Sequence, residues 1–245
     1  MPSQSDFVDS IRRDSDGFAE AAEVAGPQAA VAACPDWTVA DLVWHLRETH
    51  YCWRVIVEDG LRDPNGITPI ERPPDFAQLL ADFRAGAGRM ADVLESADPS
   101  RPVWTWAPQQ EAAFVIRHQV QEAAVHRWDA EQAAGRDFSI DPVMAADAVD
   151  EFLELIGTAY QAEGAAPLGG TVHLHATDTP GEWVVTEDEA GDLRMERAHR
   201  KADVALRATA SDLLLMLYRR VTPDRGEVFG DGAILHRLLN RRDLS

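Results

Sequence analysis

Apolar side chains recur at spacings of three and four over residues 1–140, which predicts four amphipathic helices turned toward a common core. Phe7, Ile11 and Phe18 mark the first, which stops ahead of Gly26-Pro27. Thr38 opens the second. Its hydroxyl can cap the helix while Asp41, three residues on, complements the exposed N–H groups, a capping box with Asp in place of Glu. This helix runs through Leu42, His45, Leu46, Thr49 and Trp53 to about Asp59. A loop containing Pro and Gly, residues 60–74, precedes a third helix signalled by Phe76, Leu79, Leu80, Phe83, Met90 and Leu94. Trp104, Trp106 and Pro108 fall in a connection. The fourth helix, about Glu111 to Ala134, stops at Gly135, a residue suited to the left-handed position after a helix end.

Asp141-Pro142 restarts a helix with a capping residue and a first-turn proline, and this fifth helix is expected to end at Gly164. The period then changes from 3.6 to 2. Val172, Leu174 and Ala176 alternate with polar neighbours, Thr179-Pro180-Gly181 makes a turn, and Glu182 to Thr186 continues as a strand. Leu193 to Glu196 and Asp203 to Ala208 read as two more strands, and Leu213 to Tyr218 and Ile234 to Leu239 as short helices. The class is α+β. A helical bundle over residues 1–140 is followed, over 141–245, by a linking helix and a small α+β domain with an antiparallel sheet.

The chain carries 42 acidic against 23 basic side chains, a formal charge of −19, which argues against a nucleic-acid partner. No apolar run approaches the roughly 20 residues a bilayer requires, and the N-terminus lacks a basic segment followed by an apolar one, so no membrane association and a cytoplasmic location are expected. Two cysteines, Cys34 and Cys52, form no Cys-x-x-Cys pair, which excludes a disulfide framework and a cysteine-rich zinc site. A metal would have to be held by His and carboxylates.

The fourth helix supplies such residues. Four positions advance a helix by about 400°, so His118, Glu122 and His126 fall on one stripe. Glu122 and His126 can both reach one cation of the zinc type, and a third ligand must come from a neighbouring helix. His45 is the best donor, because Leu42, Leu46, Thr49 and Trp53 describe the buried face of the second helix. The spacing alone equally allows a surface pair and a hydrogen-bonded core histidine.

The stretch Cys34-Pro-Asp-Trp-Thr-Val-Ala-Asp-Leu-Val-Trp-His45-Leu, with Glu122-Ala-Ala-Val-His126-Arg-Trp-Asp129 and, further on, Val172-His-Leu-His-Ala-Thr-Asp178 and Ala202-Asp-Val-Ala-Leu-Arg207, resembles the mycothiol-dependent maleylpyruvate isomerase family of actinobacteria. The resemblance spans nearly the whole chain. It implies a DinB-like four-helix bundle, then a small α+β domain, with zinc or another divalent metal held by His45, Glu122 and His126. It departs from the family at Asp36, where Gly is usual, and at Gln121, where His is common.

It also implies chemistry. Three protein ligands leave a fourth position open, and a thiol bound there loses its proton. The expected partners are therefore a low-molecular-weight thiol, mycothiol, and a small electrophilic substrate, in an isomerase of the maleylpyruvate type or a thiol transferase. The competing class is a non-catalytic metal or thiol sensor, or a carrier of a small ligand.

Other residues take supporting readings. Asp129 lies three positions beyond His126, within reach to orient it or a water. Arg220 falls near where the family places an arginine for the acid substrate, in the one locally basic stretch of the chain. His50, about 140° around the helix from His45, reads as structural or pocket-lining, and Cys34 as a small buried hydrophobe. His173 and His175 share one strand face, where a pair can meet a metal or simply solvent.

Overall fold

A computed structural model describes residues 2–156 and 166–241, which fall into two compact units, Met1–Ser139 and Ile140–Ser245. The first holds four long helices: α1 (Gln4–Ala25), α2 (Val39–Asp59), α3 (Phe76–Ser96) and α4 (Ala112–Ala133). Their starts are chemically specified. Thr38 and Asp41 form the expected capping box on α2, and Ser3 and Asp6 form a second one on α1. Arg72, from the loop after α2, adds a hydrogen bond to Asp41 at 2.6 Å, tying that loop to the helix start. At the far ends, Gly60 (φ 67°) follows α2 and Gly135 (φ 69°) lies just beyond α4, both in the left-handed conformation.

Phe18, Leu42, Leu46, Leu79 and Phe83 close the bundle core, each essentially without exposure. Burial of such side chains contributes about 1.5–3 kcal/mol apiece. Helix α4 packs against α1 and α2 and differs from the others in having hardly any polar face to give to solvent. Its buried residues include His118, Gln119, Gln121, His126, Asp129 and Glu131. Polar groups kept from water need partners. This helix therefore carries its chemistry on the inside.

The second unit opens with α5 (Pro142–Leu155), capped by Asp141; its expected end at Gly164 lies outside the described residues. Strands β1 (Val172–Ala176), β2 (Glu182–Glu187), β3 (Leu193–Glu196), β4 (Val204–Ala208) and β5 (Glu227–Gly230) form one sheet in the order β3-β2-β1-β4-β5. Helices α6 (Ala210–Leu217) and α7 (Gly232–Leu239) accompany it. Three pairings are antiparallel as expected, but β1 and β4 run parallel, so the sheet is mixed. The reason is topological: after the β1-β2-β3 meander the chain crosses back over residues 197–203 to the open edge of β1. Strand β5 is an addition to the expected set. Its last residue, Gly230 (φ 100°), passes so close to Asp203 that a Cβ would stand 2.1 Å from the Asp203 carbonyl oxygen.

Candidate metal centre

Helices α2 and α4 bring together the three residues that the sequence places on two different helices. His45 Nε2 lies 3.3 Å from Glu122 Oε1, and His126 Nε2 lies 3.4 Å from the same oxygen. One donor atom from each of the three is within 4.8 Å of the other two. Ligands held 2.0–2.1 Å from a tetrahedral zinc stand about 3.3 Å apart, so these separations fit a cation shared between them. The imidazoles of His45 and His126 meet edge to face, with ring centroids 5.0 Å apart.

The fit extends to the next layer. Asp129, whose side chain is wholly buried, accepts from His126 Nδ1 at 3.0 Å. A carboxylate only accepts, so Nδ1 carries a proton, and Nε2, which faces the Glu122 carboxylate, is the ring nitrogen left for a metal once its own proton is released. A histidine held at Nδ1 by a carboxylate in this way is oriented as metal-binding histidines commonly are. Electrostatics show the same concentration of charge. Burial works against charge on Glu122, yet the His126 and His45 imidazoles hold its carboxyl well below the usual range. Burial likewise opposes the His126 imidazolium, but Asp129 and Glu122 raise it to about 9.

His45 is the member of the cluster most open to solvent, and Trp37 packs against its ring at 4.9 Å. One and two turns further along α2, Thr49 and Trp53 line a cleft of about 560 Å³. The cleft is walled by Pro64, Ile67, Pro69 and Ile70 from the loop after α2 and by Trp104 and Trp106 from the connection before α4. Trp53 and Trp104 stack 5.9 Å apart. No Lys or Arg is among the described residues lining it.

The remaining candidates divide. His118 is drawn away from the cluster into a cage of Trp106 and Phe114, with ring centroids 5.2 and 5.3 Å away, and Gln121 donates to its Nδ1 at 3.0 Å. Cys34 packs against the bundle core. His50 is wholly buried against Phe83, and neither ring nitrogen has a hydrogen-bond partner among the described residues. Burial pushes its pKa down to about 3, so it stays neutral beside the charged cluster. Cys52, which no motif singled out, lines the cleft, where burial and then Glu48 raise its thiol. Its signal was only its place seven residues beyond His45, two turns along one helix face. Arg220 belongs to the second unit, past the end of α6, where it donates to the Tyr218 carbonyl at 3.0 Å.

Known proteins agree with this architecture. Residues 8–131 match the family described as the mycothiol maleylpyruvate isomerase N-terminal domain, and residues 144–237 match the C-terminal domain of the same family. Among solved structures, the mycothiol-dependent maleylpyruvate isomerase aligns at 13% identity over 93% of each chain, with a TM-score of 0.61. A histidine-to-alanine mutant of that isomerase aligns at 12% identity over 93% of each chain, again with a TM-score of 0.61. At such identity the two structures establish the common fold. No characterised protein sequence matches. With both of its units matched in order along one chain, the protein belongs to the mycothiol maleylpyruvate isomerase family.

Proposed function

We propose that the chain is a metal-dependent enzyme that uses mycothiol as a thiolate nucleophile toward a small electrophile, either isomerising a maleylpyruvate-like substrate or transferring the thiol. The observation that carries this reading is the spacing of His45, Glu122 and His126, which matches the edge of a tetrahedral site with one position to spare. Zinc or another divalent ion held there would supply Lewis acidity, which favours the thiolate form of a bound thiol. The chain's own groups do the rest. Asp129 holds His126 at Nδ1, His50 remains neutral, and the largely apolar cleft along α2 is the place proposed for the electrophile.

In the isomerase reaction the thiolate adds to the conjugated double bond, the new single bond rotates, and the thiolate leaves to restore the double bond in the other geometry. In a transferase the thioether is the product. Arg220 is proposed, from the family resemblance, to meet the carboxylate of an acidic substrate. A cytoplasmic location goes with this reading, since either reaction needs the thiol in its reduced form, and no helix among the described residues is long and apolar enough to cross a membrane.

The test is turnover of maleylpyruvate and of a generic electrophile with mycothiol, before and after chelation and in Glu122→Ala. Loss of thiol-dependent turnover with the helical circular dichroism retained is expected, because the bundle core does not include the cluster. Undiminished turnover in metal-free protein, or thiol binding without turnover of any electrophile, would overturn the reading.

A further inference from the structure

The second unit carries another convergence of histidines. On β1, His173 and His175 are two residues apart and share a face, and Glu182 on β2 stands directly opposite His175 in the antiparallel register. His199 comes from the crossover that returns the chain from β3 to β4. All three imidazoles gather around one atom: Glu182 Oε2 lies 2.9 Å from His173 Nε2 and 2.5 Å from His199 Nδ1, both hydrogen-bonded, and 3.6 Å from His175 Nδ1. One donor atom from each of the four is within 4.8 Å of the other three. The rings of His175 and His199 lie 6.0 and 5.7 Å from that of His173.

A surface carboxylate ordinarily collects a guanidinium or an ammonium. Glu182 has neither among the described residues, and Arg207, beside His175 in register on β4, pairs with Glu227 at 3.2 Å instead. Three of the chain's eight histidines are thus spent on one carboxylate, in a protein whose net charge is −19. Imidazole with carboxylate is the donor set that suits zinc and its first-row neighbours. We infer that His173, His175, Glu182 and His199 form a second divalent-metal site, one that clasps the crossover to the sheet. Four protein ligands would complete a tetrahedral shell, so this site is structural, in contrast to the three-ligand cluster in the bundle. Its ligands also differ in depth: His173 is buried, whereas the His199 side chain is 78% exposed, leaving a path by which a cation enters without unfolding.

The site does not rest on the reading of the bundle, and the experiment keeps the two apart. The full, untagged chain carrying His45→Ala and Glu122→Ala is titrated with Zn²⁺ alone, and the content is measured by elemental analysis after gel filtration. One zinc per chain is expected to remain. Adding His199→Ala or His175→Ala should weaken it by more than roughly a hundredfold, since even the loss of a supporting partner costs 10–100-fold. His199 lies outside the core, so its removal leaves the fold in place, as circular dichroism would verify. Zinc should also slow amide exchange over residues 197–203 in the parent but not in His199→Ala. No bound zinc in the bundle-site variant, or binding unchanged by both His199→Ala and His175→Ala, overturns the inference. Zinc retained in that variant at the wild-type content would leave this site standing and remove the one in the bundle.

Discussion

Replacing Asp129 by Asn tests whether one buried carboxylate sets the metal affinity of the bundle cluster. Asn keeps the size and an acceptor oxygen but removes the charge that faces His126 Nδ1 at 3.0 Å. A hydrogen bond to a charged group contributes about 1.5–3 kcal/mol. In a binding constant that is roughly 10- to 100-fold, the same range that loss of a partner behind a metal-bound histidine costs. Part of this loss is hidden at neutral pH. His126, raised to about 9 against the effect of burial by Asp129 and Glu122, must release a proton before a cation can bind. At pH 7 that competition lowers the apparent affinity on the order of 100-fold, and Asn relieves some of it. The comparison therefore needs two pH values, with free zinc set by a chelator buffer. Wild-type affinity should climb about tenfold from pH 7 to 8 and less steeply from 8 to 9. The variant should climb less and at pH 9 bind roughly 10- to 100-fold more weakly. Equal affinity at pH 9 together with an equal slope would refute the argument that Asp129 orients and charges His126.

Two further outcomes follow from other parts of the molecule. Arg220→Gln should raise KM or lower kcat for an acidic electrophile and hardly affect a neutral one of similar size; equal losses for both would assign Arg220 to packing. Asp41→Ala should cost the bundle about 1 kcal/mol at pH 7, read from thermal unfolding. Thr38, and then Arg72, hold the Asp41 carboxyl down to about 2 from an ordinary 3.8. Its contribution is therefore fully present above about 3.8 and lost as the pH falls through about 2, where wild-type and variant stabilities should converge.

The helices were legible because each has a period, and the period survives in single residues such as Phe18, Leu46 and Phe83. Glu122 and His126 were legible for the same reason, since spacing fixes azimuth on a helix. What joins them to His45 is a contact between helices 77 residues apart in sequence, which no local pattern encodes. The buried face of the second helix made His45 the best donor, and the resemblance to a known family singled out the link from its alternatives. The parallel pairing of β1 with β4 was hidden because alternation names a strand's faces without naming its neighbours. Strand β5 was hidden because Val228 and Phe229 are exposed and flanked by glycines, so burial gave it no signature. His173 and His175 were legible as a pair on one face; Glu182 and His199 join them through strand register and a crossover that the sequence does not display.

The two cysteines decide where the nucleophile of the proposed reaction comes from. A low thiol pKa needs a neighbouring cation, a metal or a helix N-terminus, and apolar burial works the other way. Cys34 packs against the bundle core, and Cys52, though it lines the cleft, has its thiol raised by burial and by the Glu48 carboxylate. Neither belongs to the described clusters that could hold a metal. In the proposed reaction the thiolate forms at a metal held by His45, Glu122 and His126, and no cysteine among the described residues joins that cluster. On the proposed reading the activating group is fixed in the chain and the nucleophile is not, so the sulfur would arrive as a diffusible molecule. The thiol is then a reactant whose concentration enters the rate. Turnover should saturate with mycothiol and should persist in Cys52→Ala. Thiol-independent turnover that vanished in Cys52→Ala would place the nucleophile in the protein and reverse this argument.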